Sequence, residues 1–413
     1  MESVYRSTAG IDVHKKMLAV VIRRESEPVQ YVQRKFGTNR LDIQHLGAWL
    51  QAHGVSEVVM ESTAQYWRPV WMGLEPLFGL HLTHPLKTRA PRGRKFDFRD
   101  ARRLADRWAA GDLEESFIPG FEQRAWRQLT RTRVQLKKKV GVVYCHVEGL
   151  LEQGGIKLSA VVSDLFGVSG WAMLEHIAAG VTDVEVLAGE ARGALRKKAA
   201  VLKPALEGKL EPVYRLLLGQ CLEQVRMFRR QVEEINQALA QAMQEHLAAL
   251  HRLTQIPGVD LYAAQELLAE IGPKAATFAS ADQFASWVGV CPGSQQSAGV
   301  NYSHRSAKGN RYLRRLLCQV AWAAIHTKDT FFASLFARLK PKVEGKGAVW
   351  AVAHRVARII WLVLHREVEY QEKGAAPPNE RTLVRKFKRM LKEFGVLGLD
   401  VRALIDQQLP ETS

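Results

Sequence analysis

The sequence predicts an α/β domain at the N-terminus, then a helical connector and a mostly α-helical C-terminal domain. Short apolar runs alternate with helical periodicity over residues 7–110, helical periodicity dominates 121–250, and a Pro-Gly turn separates two helical stretches near residue 256. A chain of 413 residues exceeds one ordinary domain. We expect three domains and a basic C-terminal appendage, over residues 1–120, 121–250, 251–372 and 373–413.

Composition indicates a nucleic-acid partner. The net charge is +17 and the pI is near 9.8, a strong attraction for polyanions, while 47% of the residues are apolar, enough for folded cores. We expect no secretory signal and no membrane span, because the apolar stretch 349–364 contains His354, Arg355 and Arg358 and is typical of an amphipathic core helix. The four cysteines lie far apart, which favours neither disulfides nor a zinc site and fits a reducing cytoplasm.

The order of elements in the first 110 residues is three strands, helix, strand, helix, strand, helix. That order is typical of a ribonuclease-H-like fold, in which helices flank a mixed sheet. Short apolar runs mark the strands, and apolar residues at helical spacing mark the helices. The predicted strands are 7–13, 17–23, 30–36, 57–61 and 80–84, and the predicted helices are 41–53, 66–77 and about 97–110.

Four carboxylates occupy the places where such a fold gathers acids. Asp12 ends the first strand, Glu61 ends the fourth, and Asp97 and Asp100 share one face at the start of a helix. From residue 87 to 107 there are nine Lys/Arg and three acids. Acids within such a basic stretch suit a site that binds a divalent cation together with a polyanion. In phosphoryl transfer, four such carboxylates can hold two Mg²⁺ ions about 4 Å apart. The alternative is that Asp97 and Asp100 only stabilise the first turn of their helix through its dipole.

A long helix is expected over 121–151, and its first half is strongly basic. Seven Lys/Arg and no acid fall between residues 124 and 139, as expected either for a solvated face or for a helix that binds a nucleic-acid backbone. Near-heptad apolar spacing over 216–250 predicts a helical hairpin or a coiled coil, which could also join two copies of the chain. The predicted nucleic-acid contacts on the basic helix are Arg124, Arg127, Arg131, Lys137 and Lys138.

The C-terminal domain begins with a stretch that resembles a helix-hairpin-helix. Its turn at Ile256-Pro-Gly258-Val259 leaves backbone N–H groups at a helix N-terminus, where a phosphate can bind, although a plain interhelical turn is the alternative. In the Gly/Ser-rich loop that follows, Ser297 is by residue type more typical of a turn than of a nucleophile, since His304 is the only nearby base. The predicted nucleic-acid contacts in this domain are Gly258, Lys308, Arg311, Arg314 and Arg315.

The joint order of six motifs resembles one family. The motifs are Gly10-Ile-Asp12-Val-His-Lys15, Met60-Glu61-Ser-Thr-Ala-Gln-Tyr66-Trp, Lys95-Phe-Asp97-Phe-Arg-Asp100-Ala, Ile256-Pro-Gly-Val259, the loop from Pro292 to Ser297, and Lys308-Gly-Asn-Arg-Tyr-Leu-Arg-Arg315. Over about residues 7–370 the chain resembles the DEDD-type transposases of bacterial insertion sequences. The resemblance implies a RuvC-like N-terminal domain, a coiled-coil connector and a C-terminal transposase domain that supplies a serine.

Carried over by position, the resemblance implies that Asp12, Glu61, Asp97 and Asp100 form the DEDD set. It places the serine five residues after the loop proline, at Ser297. Two departures bear on this assignment. Ala64 stands where the family usually has glycine, and the usual Ser-Ser-Gly is Gln-Ser-Ala-Gly over 296–299, which leaves Ser294 as a second possible nucleophile.

We therefore expect an RNA-guided DNA transposase that cuts and rejoins DNA through a phosphoserine intermediate, aided by Mg²⁺ or Mn²⁺ at the DEDD site. The expected partners are donor and target DNA, a structured bridge RNA and further copies of the chain in a dimer or tetramer, in the cytoplasm at the nucleoid and with no membrane. One alternative is a RuvC-like nuclease that uses metal-activated water, with Ser297 structural. Another is a nucleic-acid-binding scaffold without catalysis.

Overall fold

The computed structural model describes residues 7–62, 64–83, 96–293, 295–297, 300–303 and 306–374. The chain divides into two compact units, Met1–Gly120 and Phe121–Ser413. Apart from Lys373 and Gly374, the predicted appendage over 373–413 lies outside the described residues.

The first unit is built on five strands: β1 (Ser7–Val13), β2 (Leu18–Arg24), β3 (Gln30–Phe36), β4 (Val55–Glu61) and β5 (Gly79–Thr83). They form one mixed sheet in the order β3-β2-β1-β4-β5, in which β1 pairs with β2 and β2 with β3 antiparallel, while β1–β4 and β4–β5 are parallel. The strand bounds agree with the predicted ones to within two residues. A sheet of this kind is compatible with the predicted ribonuclease-H-like fold.

Helices cover both faces of this sheet. The helices α1 (Arg40–Ala52) and α2 (Trp67–Leu74) pack on the face that carries Ile11 and Met60, and together they form the apolar core of the unit. The helix α3 (Asp97–Ala109) packs against β1 and β2 on the opposite face.

The contact between α3 and β1 depends on Gly10. A Cβ atom built on Gly10 would lie 2.0 Å from the backbone oxygen of Ala101 and 2.9 Å from the backbone nitrogen of Ala105. Only a residue without a side chain lets the helix backbone come this near to the strand. Asp12 lies two residues further along the same strand and on the same face. The helix is therefore held over the end of β1 that carries Asp12.

The described residues of the second unit are mostly helical, with short 3₁₀ turns at Gly193–Lys198 and Gln244–His246 and a hairpin of two strands, β6 (Gln295–Ser297) and β7 (Val300–Ser303). Its helices are α4 (Phe121–Gln153), α5 (Leu158–Val161), α6 (Val168–Ala179), α7 (Val184–Gly189), α8 (Ala199–Leu206), α9 (Pro212–Ala242), α10 (Leu247–Thr254), α11 (Leu261–Ile271), α12 (Ala281–Val288), α13 (Arg311–His326) and α14 (Phe331–His365).

Helices α4 and α9, of 33 and 31 residues, run antiparallel along each other. Contacts join Arg133 to Asn236, Tyr144 to Arg229 and His146 to Cys221, so residue numbers rise along α4 as they fall along α9. The near-heptad stripe of α9 is used within the chain, because Leu222, Val225 and Leu239 are all buried. Helix α9 thus pairs with α4, from which four helices separate it in the sequence, and the predicted coiled coil and the contact between two copies remain predictions.

The two ends of the α4–α9 pair belong to different apolar cores. Val147 and Leu222 pack with α5 to α8, whereas Trp126 and Leu239 pack with α10 to α14. Residues on either side of the predicted domain boundary at 250 therefore share one core.

Helix α14 is long and apolar enough to span a membrane by length and composition alone, but 56% of its apolar window is buried within the protein. Its backbone is not helical at Val343 and Glu344, which follow Pro341. The part after this break is buried at Val352, Val356 and Ile360, among others, and belongs to the larger core. This is the core helix that the sequence predicted over 349–364.

Replacing Gly10 by Ala should destabilise the first unit and displace α3. The added methyl group would meet helix backbone rather than a flexible side chain, so we expect a loss of about 1–3 kcal/mol in the free energy of unfolding. Chemical denaturation of the variant measures it. Gly120→Ala is the matched control, because a Cβ atom there has nothing within 4 Å. Equal denaturation midpoints for the two variants would contradict the close helix–strand contact.

Candidate active site

Two of the predicted acids lie side by side at the ends of parallel strands. Ile11 of β1 pairs with Met60 of β4, and Asp12 and Glu61 are the next residues in each strand. Because side chains alternate along a strand, both acids are on the sheet face that Gly10 shares and α3 covers. The parallel register therefore brings together two acids that are 49 residues apart in the sequence (61 minus 12).

Helix α3 brings the other two acids to the same place. Asp97 and Asp100 lie in its first turn, and Phe96 before them offers no side-chain cap, so the carboxylates also favour the positive end of the helix dipole. Asp97 is near Lys35, with 3.4 Å between the carboxylate oxygen and Nζ, and Asp100 is near Arg103, with 3.4 Å between the carboxylate oxygen and Nη2. The two explanations weighed for these acids, helix stabilisation and site formation, are compatible in this geometry.

Electrostatics at Asp12 show that the acids act on one another. Burial raises the pKa of the Asp12 carboxyl, nearby His14 lowers it, and the negative charges of Asp100 and Asp97 raise it further. Carboxylates that repel one another in a partly buried place are stabilised by a bound cation.

One further residue belongs to the cluster that sequence reasoning did not select. The Nε2 atom of His14 lies 3.1 Å from a carboxylate oxygen of Asp12 and 3.5 Å from one of Asp97. Donor atoms of Asp12, His14 and Asp97 all lie within 4.8 Å of one another. His14 follows Asp12 by two residues, and that i, i+2 spacing at a strand end is the signal that could have identified it.

These donors fit a divalent cation. Carboxylate oxygens suit Mg²⁺ and Mn²⁺, and an imidazole nitrogen is accepted more readily by Mn²⁺ than by Mg²⁺. Asp100 is near enough for its charge to raise the pKa of Asp12, and the strand register places Glu61 on the strand next to that of Asp12. The roles of the four acids and of His14 as ligands remain predictions.

The predicted serine belongs to the second unit. Ser297 ends β6 and pairs with Val300 of β7, so its backbone lies at the tip of the short hairpin. Ser294, the second possible nucleophile, and His304, the one candidate base near Ser297 in the sequence, lie outside the described residues.

Two stretches of the chain match models of transposase families. Residues 9–155, which contain the four acids, match the DEDD transposases of the IS110 type, and residues 250–335, which contain Ser297, match the transposase IS116/IS110/IS902 family. The chain belongs to the IS110 family of DEDD transposases. It is therefore an enzyme that acts on DNA, as the motif order predicted. No curated protein matches the chain significantly.

Several of the transposase's predicted nucleic-acid contacts have partners inside the protein. Arg131 donates to both carboxylate oxygens of Glu270, at 2.7 and 2.9 Å, and Arg127 donates to the backbone oxygen of Ala269 at 3.1 Å. Glu270 is only 3% exposed. Burial lowers the pKa of Arg127 to about 10, although Glu270 opposes this shift. These two arginines join α4 to α11.

A second acid of α11, the partly buried Glu266, organises the neighbouring turn of the helix. It pairs with Arg315 of α13, and its carboxylate lies 3.8 Å from Arg133. Arg133 is fully buried and donates to Gln265 at 2.6 Å and to Asn236 at 3.1 Å. Burial raises the pKa of the Glu266 carboxyl, and the charges of Arg315 and Arg133 lower it. Sequence reasoning missed both glutamates; their i, i+4 spacing in an apolar helix was the available signal.

Gly258 has a packing role at the turn between α10 and α11. Its φ is +84°, and a Cβ atom there would lie 2.5 Å from the backbone oxygen of Val320 in α13. The first turn of α11 is capped by Asp260, which accepts a hydrogen bond from the Ala263 N–H at 2.7 Å. A phosphate at this helix end would therefore meet a carboxylate, and the predicted phosphate contact at Gly258 remains untested.

The other predicted cations lie nearer the surface. Lys137, Lys138, Lys308 and Arg311 are exposed, and Arg124 is half-buried, with its guanidinium 6.0 Å from the Phe121 ring centroid. Among these, Lys137 and Lys138 line a groove of about 440 Å³ together with Gly258, Tyr262, Arg315 and Gln319.

Replacing Arg133 by Ala should destabilise the second unit, because it removes a buried cation and leaves Gln265 and Asn236 without that donor. Breaking a buried pair costs on the order of 3 kcal/mol, which for a unit of this size lowers the midpoint of thermal unfolding by roughly 6–12 °C. Differential scanning calorimetry measures the change. Lys139→Ala, on an exposed position of the same helix, is the control. If the two variants unfolded at the same temperature, the buried network would not be a structural one.

Proposed function

We propose that this transposase is an RNA-guided DNA recombinase that moves an insertion sequence by cutting and rejoining DNA. The observation that carries the proposal is the approach of Asp12 and Asp97 to each other around His14, at the end of β1. Partly buried carboxylates that repel one another suit a divalent cation better than a solvated surface. Ser297, in the second matched stretch, is the nucleophile in this proposal.

In this proposal the first unit holds the cation. Asp12 and Asp97 are the principal ligands, Glu61 and Asp100 complete the DEDD set, and His14 holds Asp12 and Asp97 in place. When bound there, Mg²⁺ or Mn²⁺ would neutralise charge on a DNA phosphate and ease deprotonation of an attacking hydroxyl. Lys35 and Arg103 offset part of the negative charge of the helix acids.

The serine supplies the covalent step. Its Oγ atom forms a bond to a DNA phosphorus, the bond from that phosphorus to a sugar oxygen breaks, and the departing oxygen takes up a proton. The phosphoserine link conserves a phosphodiester, so a hydroxyl of a second DNA strand can displace the serine and rejoin the DNA. Because the acids and Ser297 belong to different units, the proposal requires both to act on one phosphate.

Charge supports nucleic-acid partners. The chain carries a net charge of +17, and exposed Lys137, Lys138, Lys308 and Arg311 remain available for phosphates. We propose donor and target DNA as substrates and a structured bridge RNA as the guide, the RNA resting on the family resemblance alone. We also propose action as a dimer or tetramer in the cytoplasm, at the nucleoid.

A water-using nuclease is the second candidate function. The donors Asp12, His14 and Asp97 all lie in the first unit, so a metal-activated water could cleave DNA there without the serine. The two functions differ in one product, a covalent link between protein and DNA.

Asp97→Asn should lower strand cleavage by at least about 10²-fold, because the amide cannot supply the negative charge that a cation needs. The rate is measured with labelled DNA in Mg²⁺. Asp112→Asn is the control, since this carboxylate is 72% exposed and pairs with Arg107 away from the cluster. The thermal midpoint of Asp97→Asn should stay within a few degrees of wild type, as for most exposed polar substitutions. Near-normal cleavage by Asp97→Asn would remove the basis for the metal site.

Ser297→Ala should still bind DNA and RNA but form no protein–DNA adduct and no recombinant product, because the attacking oxygen is absent. Denaturing gel electrophoresis with labelled substrate detects the adduct in wild type, Ser297→Ala and Ser294→Ala. An adduct that persists in Ser297→Ala and disappears in Ser294→Ala would move the nucleophile three residues upstream. Cleavage without an adduct in all three proteins would favour the nuclease.

A further inference from the structure

The hairpin that carries Ser297 leaves the helical core and returns to it through two stems that touch backbone to backbone. The outgoing stem leaves the end of α12 at Gly289, and the returning stem passes through Ala307 and Gly309 before α13. A Cβ atom on Gly309 would lie 2.1 Å from the backbone oxygen of Val288, and one on Gly289 would lie 2.7 Å from that of Ala307. Glycine at both positions is what allows the stems to meet.

Arg314 fastens both stems to α13. Its Nη1 donates to the backbone oxygens of Gly289 and Ala307, and its Nη2 donates to the hydroxyl of Ser306 at 3.2 Å. The guanidinium also lies 4.8 Å from the ring centroid of Trp350 in α14. The Arg314 side chain therefore contacts both the outgoing and the returning stem of the hairpin.

These contacts engage three of the five N–H donors that Arg314 could offer to a phosphate. Both hydrogens of Nη1 point to carbonyl oxygens, a third donor is engaged by Ser306, and one face of the guanidinium is turned to Trp350. Gly289 lies at the C-terminal end of α12, where a cation is favoured by the helix dipole. Arg311, one turn earlier on α13, is exposed instead.

We propose that Arg314 is a positioning residue that clamps the base of the Ser297 hairpin, and not a nucleic-acid contact. The proposal rests on the proposed function, in which Ser297 attacks DNA. A loop closed at its base by a rigid helix holds its tip in fewer orientations, and a displacement of about 1 Å at a reacting group can cost about 10²-fold in rate.

Three variants test the clamp by different routes. Arg314→Ala removes the guanidinium, whereas Arg314→Lys keeps a charged donor but not the planar group that stacks on Trp350. Gly309→Ala forces the two stems apart without changing the charge. Arg230→Ala is the control, because it removes one arginine that is 73% exposed on α9 and pairs with Glu234 of the same helix.

The first readout is hydrogen exchange of the backbone amides over 290–307 in the full-length protein, which needs no DNA. Arg314→Ala and Gly309→Ala should speed this exchange by about tenfold or more while amides of α4 exchange as in wild type. Arg314→Lys should fall between, and Arg230→Ala should match wild type. Unchanged exchange in both Arg314→Ala and Gly309→Ala would overturn the clamp.

The second readout separates positioning from phosphate binding. Adduct formation per bound DNA should fall by about 10²-fold in Arg314→Ala, with partial rescue in Arg314→Lys, while the slope of log affinity against log salt stays as in wild type. Lys137→Ala combined with Lys138→Ala gives the reference, a slope reduced by about 0.9 for each lost phosphate contact. A reduced slope in Arg314→Ala with normal adduct formation would make Arg314 a phosphate contact. Absence of the adduct in wild type would refute the serine mechanism, whereas the exchange result would still decide the clamp.

Discussion

The close approach of the α3 backbone to Gly10 is the constraint on which the first unit's site depends. A Cβ atom on Gly10 would lie only 2.0 Å from the backbone oxygen of Ala101. Helix α3 therefore lies closer to β1 at this point than any residue with a side chain would allow. This contact puts the first turn of the helix, with Asp97 and Asp100, over the strand end that carries Asp12. Burial at this strand end raises the pKa of the Asp12 carboxyl, and repulsion from the negative charges of Asp100 and Asp97 raises it further. The apolar burial of Ala101, Leu104 and Ala105 holds the acids together against that repulsion.

Glycines at close backbone contacts also occur in the second unit. Gly258 lets the turn before α11 approach α13, with the Val320 oxygen 2.5 Å from a built Cβ atom, and Gly289 and Gly309 let the two stems of the serine hairpin meet. Each close contact lies beside residues with a proposed role in chemistry or nucleic-acid binding. Backbone contacts are stiffer than side-chain contacts because they leave no rotamers to adjust. These glycines therefore restrict the orientations of the segments that carry the residues proposed to act on a phosphate.

Much of the fold could be predicted from the sequence because its signals are local. Strand β3 was predicted at its observed bounds from a single apolar–polar stretch, and the acids were found by their order at strand and helix ends. The partners of the basic residues could not be predicted in this way. Arg131 and Glu270 are 139 residues apart, and nothing near either residue indicates the other. His14 was missed for a different reason: its spacing from Asp12 is a weak signal alone, and its contact with Asp97 of α3 joins residues 83 positions apart (97 minus 14).

The division of cations between interior and surface follows from side-chain chemistry. Among the basic residues of the second unit described above, those engaged inside the fold are Arg127, Arg131, Arg133, Arg314 and Arg315, while the exposed ones are Lys137, Lys138, Lys308 and Arg311. A guanidinium is planar, weakly hydrated and able to serve several acceptors, so it tolerates burial beside carboxylates, carbonyls and rings. An ammonium is a strongly hydrated point charge and stays in water. The total of 59 Lys and Arg therefore overstates the number of cations offered to DNA or RNA, since some of the arginines pair with Glu266 and Glu270 inside the fold. Among the described residues, Lys137, Lys138, Lys308 and Arg311 are exposed and are therefore the cations that we propose for phosphate contacts.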